Sequence, residues 1–178
     1  KRCNADYRKD EEYFYHAIYP LVKKGNPAMA KVLHHDLVRR TNKPQTPAMV
    51  RRLLKEFRSI TEVGIQLPPG IVQFSLDQYR MERVVIKIAQ GLFYLDQERY
   101  LPRDNCKDIR LSELESEVPE LYQLSWRGAE MKSVLPAVFS YKRFEFDNLH
   151  LFTICFWNAF MFCAAFENPT VLIASVAQ

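Results

Sequence analysis

An α+β domain, helical and basic in its first half and closed by a C-terminal antiparallel β-sheet, is the fold class that this sequence predicts. Three observations point to it. Residues 76–95, LDQYRMERVVIKIAQGLFYL, place Met81, Val84, Val85, Ile88, Leu92 and Leu95 at three- and four-residue steps, the spacing of one buried face on a central amphipathic helix. Upstream, basic stretches share that helical period. Downstream, residues 138–166 change to alternation and then to continuous apolar runs, as strands do when one or both faces are buried. With 178 residues, 48% of them apolar and 13% aromatic, the chain can build one domain with a substantial core and is too apolar for a disordered polymer.

The elements follow in order. Residues 10–22 predict a first helix with Phe14, Ile18, Leu21 and Val22 in one stripe, its regularity limited by Pro20. Lys23-Lys24-Gly25-Asn26 suits a helix end, and Pro27 opens a second helix that runs to about residue 40. A polar turn leads to a third helix over 47–59. Met49, Val50, Leu53, Leu54 and Phe57 lie on one of its sides, and Arg51, Arg52, Lys55 and Arg58 on the other. Residues 61–66 and 71–74 read as the two strands of a hairpin, turned by Leu67-Pro68-Pro69-Gly70. The central helix comes next, with Ser75 as its N-cap and Asp77 in the first turn, where the helix dipole favours negative charge. Gly91, which costs on the order of 1 kcal/mol relative to alanine inside a helix, predicts a close backbone crossing or a late kink.

Residues 97–108 lose periodicity and read as a loop. Residues 111–124 suggest a short acidic helix with Ser112 as cap and Glu115 at capping-box spacing. Residues 138–146 alternate as a strand, and Asp147-Asn148 is a turn dipeptide. The eighteen mostly apolar residues 149–166 are long enough to raise a membrane span. Asn158 at their middle, aromatics spread throughout and no basic flank argue instead for two buried strands turning near Trp157-Asn158, with no membrane partner.

Charge is distributed unevenly. The chain carries +4 overall, yet residues 23–58 hold ten basic residues against Asp36 and Glu56. That local excess makes Arg39, Arg40, Lys43, Arg51, Arg52, Lys55 and Arg58 candidate nucleic-acid contacts through phosphate; a pair of solvated basic helices is the plainer alternative. The third helix has no interleaved aromatics, so its contacts would position the duplex without reading bases. His34 and His35 are adjacent and point apart on a helix, which does not suit a shared metal. Cys3, Cys106, Cys155 and Cys163 lack disulfide-framework spacing and read as reduced thiols of a cytoplasmic protein. Glycine-rich phosphate loops, a nucleophile elbow and a His-Glu-x-x-His zinc motif are absent from the sequence.

The opening stretch, KRCNADYRKDEEYF, resembles the ending of HNH-type nuclease modules, in which a C-x-x-C knuckle closes on Cys-Asn before a charged helix. Arg80-x-x-Arg83 through Lys87-Ile88 and Gly91-Leu92, with Val138-Phe139-Ser140-Tyr141, is similar to the C-terminal region of the same bacterial HNH-endonuclease-like proteins. The resemblance implies that residues 1–14 end a zinc-knuckle module and that residues 15–178 form a single α+β domain, with basic helices over 23–58 and a hairpin sheet over 138–167. It implies that Cys3 is a structural zinc thiolate and that Asn4 is catalytic, beside a divalent metal such as magnesium or manganese. A chain that begins at Lys-Arg-Cys, with the general-base histidine and the other zinc ligands upstream, would be inactive alone and would hold no metal. The expected function is the DNA-holding C-terminal part of an HNH-type endonuclease. The alternative is a non-catalytic module that binds nucleic acid or protein.

Overall fold

A computed structural model describes residues 2–41, 57–58, 61–62, 65–66, 73–74, 77–113, 122–123, 127, 129–136 and 138–168. Helix α1 (Arg2–Ala17) and helix α2 (Tyr19–Gly25) are separated at Ile18. The sequence explains the break, because Pro20 has no N–H to offer the His16 carbonyl and its ring crowds that turn. Helix α1 starts eight residues earlier than periodicity places it. Helix α3 (Pro27–Thr41) follows after the single residue Asn26.

Two short pairs come next. Strand β1 (Phe57–Arg58) pairs with β4 (Gln73–Phe74), and β2 (Thr61–Glu62) pairs with β3 (Ile65–Gln66), both antiparallel. The expected hairpin of 61–66 with 71–74 is therefore corrected: residues 61–62 pair with 65–66, and 73–74 take 57–58 as partner. Residues 57 and 58, expected to end the third helix, are strand; residues 47–56 lie outside the described residues.

Helix α4 (Gln78–Gln97) is the central helix. Asp77, not Ser75, is its N-cap: the Asp77 carboxylate accepts from the Arg80 N–H at 3.3 Å, and the Asp77 N–H donates to the Tyr13 hydroxyl at 2.7 Å. Met81, Val84, Val85, Ile86, Ala89, Leu92 and Phe93 are buried. Leu95, expected on that face, is 71% exposed because the stripe rotates away over the last turn. Glu98 closes the helix in the left-handed region, φ 54°.

The second half is one antiparallel sheet of five strands in the order β5-β9-β8-β7-β6. Its members are β5 (Cys106–Glu113), β6 (Lys132–Leu135), β7 (Phe139–Phe146), β8 (Leu149–Phe156) and β9 (Phe160–Glu167). Strands β7, β8 and β9 fall where alternation puts them, and the apolar run over 149–166 is the expected pair of buried strands. Among the described residues no helix is long and apolar enough to cross a membrane. Strand β5 corrects two expectations. Residues 106–108 are not loop and residues 111–113 are not helix, since the strand runs straight through to pair Arg110 with Cys163 and Ser112 with Met161. Ser112 is buried in that ladder; residues 114–121 lie outside the described residues.

The helices cover one sheet face. Tyr13, Ile18, Val22, Leu33, Val85 and Phe93 share a core with Phe152, Ile154, Phe156, Phe160, Phe162 and Phe166. Tyr122, Leu151, Met161, Cys163 and Ala165 form a smaller cluster on the other face. Cys106, Cys155 and Cys163 are free thiols, and burial pushes the Cys163 thiol up to about 11, which makes it inert.

Gly91 does not mark a close backbone crossing. A Cβ there would meet nothing within 4 Å. The close approach occurs at Gly25, where a Cβ would stand 2.6 Å from the Ala159 Cα. Alanine should therefore act in opposite directions at the two sites. Gly91→Ala should raise stability by about 1 kcal/mol through helix propensity. Gly25→Ala should lower it by about 1–3 kcal/mol, because the backbone of the β8–β9 turn must move. Urea unfolding midpoints of the two variants check the pair.

Candidate nucleic-acid interface

Helices α2 and α3 hold five basic residues against the single acidic Asp36. Lys23, Lys31 and Arg39 are exposed, as are His34 and His35, while Val22, Ala30 and Leu33 turn into the core. The two helices thus bury one side and leave a cationic side to solvent, an arrangement that suits phosphate contacts. Asn26 sets their relation. Its side-chain oxygen accepts from the Met29 N–H at 3.1 Å, capping α3 ahead of Pro27. Its amide nitrogen donates to the Trp157 carbonyl at 3.1 Å, which ties the joint to the β8–β9 turn.

That turn is itself constrained. Trp157 and Asn158 have φ of 51° and 52°, in the left-handed region, and the Ala159 N–H closes back on the Phe156 carbonyl at 2.9 Å. A bulky residue rarely adopts this conformation. Trp157 is held in it by its N–H to the Val138 carbonyl at 2.8 Å and by its ring beside Phe156 and Phe160.

The structure places the expected contact residues unevenly. Arg39 is exposed on α3, but its guanidinium is 2.6 Å from the Asp36 carboxylate. A phosphate would compete with that surface ion pair, worth at most about 1 kcal/mol. Arg40 is in α3, and Arg58 is in β1 instead of on a helix face; both side chains lie outside the described residues, as do Lys43, Arg51, Arg52 and Lys55 altogether. Cys3 and Asn4 are consecutive residues near the start of α1, inside the helix and not in a loop before it, with their side chains outside the described set. Among the described residues there is no group of three or more His, Cys, Asp or Glu that could hold a metal. Zinc needs four ligands, so the described residues do not supply the rest of a site for Cys3.

Other charged groups that motif reading singles out are engaged between elements. The Arg83 guanidinium lies 3.2 Å from the buried Asp10 carboxylate, with Arg80 at 3.7 Å on the other oxygen. Arg83 also stacks over the Tyr7 and Tyr79 rings at 5.0 and 5.7 Å. Lys87 reaches Glu11 at 2.6 Å. These cations fasten α4 to α1.

Sequence reasoning misses a second polar centre, at the other end of α4. Asp96, nearly buried, accepts from Lys132 at 2.6 Å, the Tyr141 hydroxyl at 2.9 Å and Arg143 at 3.1 Å. Burial alone would raise its pKa, but the bonds from Lys132, Tyr141 and Arg143 outweigh it and hold the carboxyl below its ordinary value. The Tyr141 hydroxyl is pushed up to about 12, by burial first and by its bond to Asp96 second. A lone aspartate at a helix end gives no signal of this, because its donors come from strands 36 to 47 residues away.

Beside that centre His150 is 3% exposed, its ring 4.8 Å from Phe93 and Nδ1 3.8 Å from Glu145. Burial lowers its pKa below the ordinary 6.5, with nearby Arg143 acting in the same direction against Glu145. The sign follows. Above pH 6.5 the ring is neutral folded or unfolded; as pH falls below it, the unfolded chain binds the proton first and stability declines until the folded pKa is passed. Urea midpoints measured from pH 7.5 to 5 should fall on the acid side in the wild type and fall less in His150→Phe. The comparisons of this chain with family models, with curated proteins and with solved structures find no match.

Proposed function

We propose that the chain is a nucleic-acid-holding module that grips the phosphate backbone through the exposed basic side of α2 and α3. The observation that carries this reading is the helical pair itself: five basic residues to one acidic, with Lys23, Lys31 and Arg39 turned to solvent on helices fixed to the sheet through Asn26 and Gly25. Fixed cations on a rigid element hold a polyanion without first ordering a loop. Contacts of this kind orient DNA and carry no base information.

The resemblance of KRCNADYRKDEEYF to the end of an HNH module supports extending the proposal to a nuclease. In that form Cys3 contributes a thiolate to a structural zinc, Asn4 stands beside the divalent metal, and the general-base histidine lies upstream. The metal would polarise the phosphate while this chain orients the duplex. In that form Cys3 and Asn4 belong to the metal-binding module, and the basic side of α2 and α3 does the holding.

Fluorescence anisotropy with a short duplex over a salt series tests the first part. Wild type should bind with a steep salt dependence. Lys23→Ala combined with Lys31→Ala should weaken binding and lower the log–log salt slope by about 2, near 0.9 per phosphate contact. Absent binding, or an unchanged slope, overturns it. The nuclease part is tested on protein extended upstream. Stoichiometric zinc and magnesium- or manganese-dependent plasmid nicking lost in Asn4→Ala support it, and a metal-free, non-cleaving protein leaves only the holding module.

A further inference from the structure

Strand β5 is an edge. In the order β5-β9-β8-β7-β6 it has a neighbour on one side alone, and among the described residues no backbone hydrogen bond leaves its outer side. At eight residues it is a long edge to leave open. Strand β5 has its own register shift, between Cys106 and Asp108, which leaves Asp108–Glu113 as its regular stretch; the other edge, β6, is shorter still, with four residues, an irregular register between Ser133 and Leu135, and Pro136 directly after it.

Beside β5 runs a groove under the first half of α4. Ile109 and Leu111 pair with Ala164 and Phe162, so they stand on the helix-covered face of the sheet. With Met81 and Phe162 they line a cavity of about 240 Å³, and Leu111 is 40% exposed at its rim. Gln78, Glu82 and Ile109 also border a second cavity of about 340 Å³ that continues along the strand past Cys106 and Asp104. Lys107 is 3.0 Å from Glu167, and Arg103, whose tyrosine partner Tyr79 is neutral, keeps its charge and sets it against Asp104. Asp108 is answered by Arg110 and Tyr122. With Asp104 offset by Arg103, the Glu82 carboxylate, which accepts from the neutral Gln78 amide at 2.7 Å, gives this half its net negative charge.

We infer that this groove takes an extended peptide segment of a partner protein, added as a sixth strand on β5. Strand addition supplies main-chain hydrogen bonds, and side-chain pockets on alternate positions supply selectivity. Here the apolar cavity accepts one large apolar side chain of the incoming strand beside Leu111. The carboxylate of Glu82 favours a lysine or arginine further along it. The occupant is thus an extended segment with a large apolar residue and a nearby basic one. This surface is separate from the basic side of α2 and α3, so the inference stands independently of the nucleic-acid reading.

The test is selection of a displayed library of random peptides of about ten residues against the whole chain, followed by affinity measurement and amide exchange. Peptides that combine an apolar with a basic residue, slow exchange over residues 107–113, and bind Leu111→Lys at least tenfold more weakly are the expected result. Glu82→Arg should separately weaken the peptides that carry a basic residue. Leu111 is partly exposed, so its replacement leaves the core intact, and an unchanged urea midpoint checks this. The inference is overturned if no peptide is enriched, if selected peptides bind Leu111→Lys as tightly as wild type, or if protection appears at β6. A concentration-dependent dimer in sedimentation that Leu111→Lys abolishes would assign the edge to a second copy of the chain and equally overturn it.

Discussion

The contact between the Gly25–Asn26 joint and the β8–β9 turn is what the placement of the N-terminal helical pair depends on. Three short-range facts meet there. The backbone of Gly25 sits against Ala159, where any side chain would collide. Asn26 closes α2 and opens α3, and its amide reaches the Trp157 carbonyl. Trp157 can present that carbonyl because it adopts a left-handed conformation that a large residue normally avoids. One strained residue on the sheet therefore fixes the direction of two helices, and with them the direction in which their cations point.

The two ends of α4 show a different use of charge. Asp10 and Asp96 are both nearly buried, and each gathers cations at one end of α4: Arg80 and Arg83 from the helix itself for Asp10, Lys132 and Arg143 from the sheet for Asp96. A buried carboxylate is costly to desolvate and gains only modestly over an apolar substitute. What it does well is define position, since few arrangements satisfy it. The helix is thereby registered at both ends, on α1 at its start and on β7 at its finish. The cations drawn into these centres serve packing, while Lys23, Lys31 and Arg39 of α2 and α3 are turned to solvent.

How much of this was readable beforehand follows from the range of the interactions. The central helix was legible because its apolar residues repeat at helical steps within twenty residues. The β7–β8 and β8–β9 hairpins were legible because alternation, Asp147-Asn148 and Asn158 are local signals. Strand β5 was not. CKDIRLSE is too polar to read as a strand, and its conformation is set by β9, more than forty residues on. Phe57 and Arg58 were read as helix because residues 47–59 have a clean amphipathic period; their pairing with 73–74 overrides local preference, as tertiary context often does. For the candidate interface the charge excess was plain in the sequence. The ion pair of Arg39 with Asp36, the capture of Arg80 and Arg83 by Asp10, and the role of Gly25 in place of Gly91 needed the fold.

The bond from Asn26 to Trp157 spans 131 positions of the chain. A ribosome releases the N-terminal helices early, roughly 5–20 residues being added each second, so α2 and α3 are finished well before the turn that receives them has been synthesised. For several seconds their apolar sides have no sheet to cover. Docking therefore waits for the last hairpin, and long-range closure of this kind is intrinsically slow. A late hairpin completes an early helical pair, and during that interval the apolar side of the pair needs protection from association.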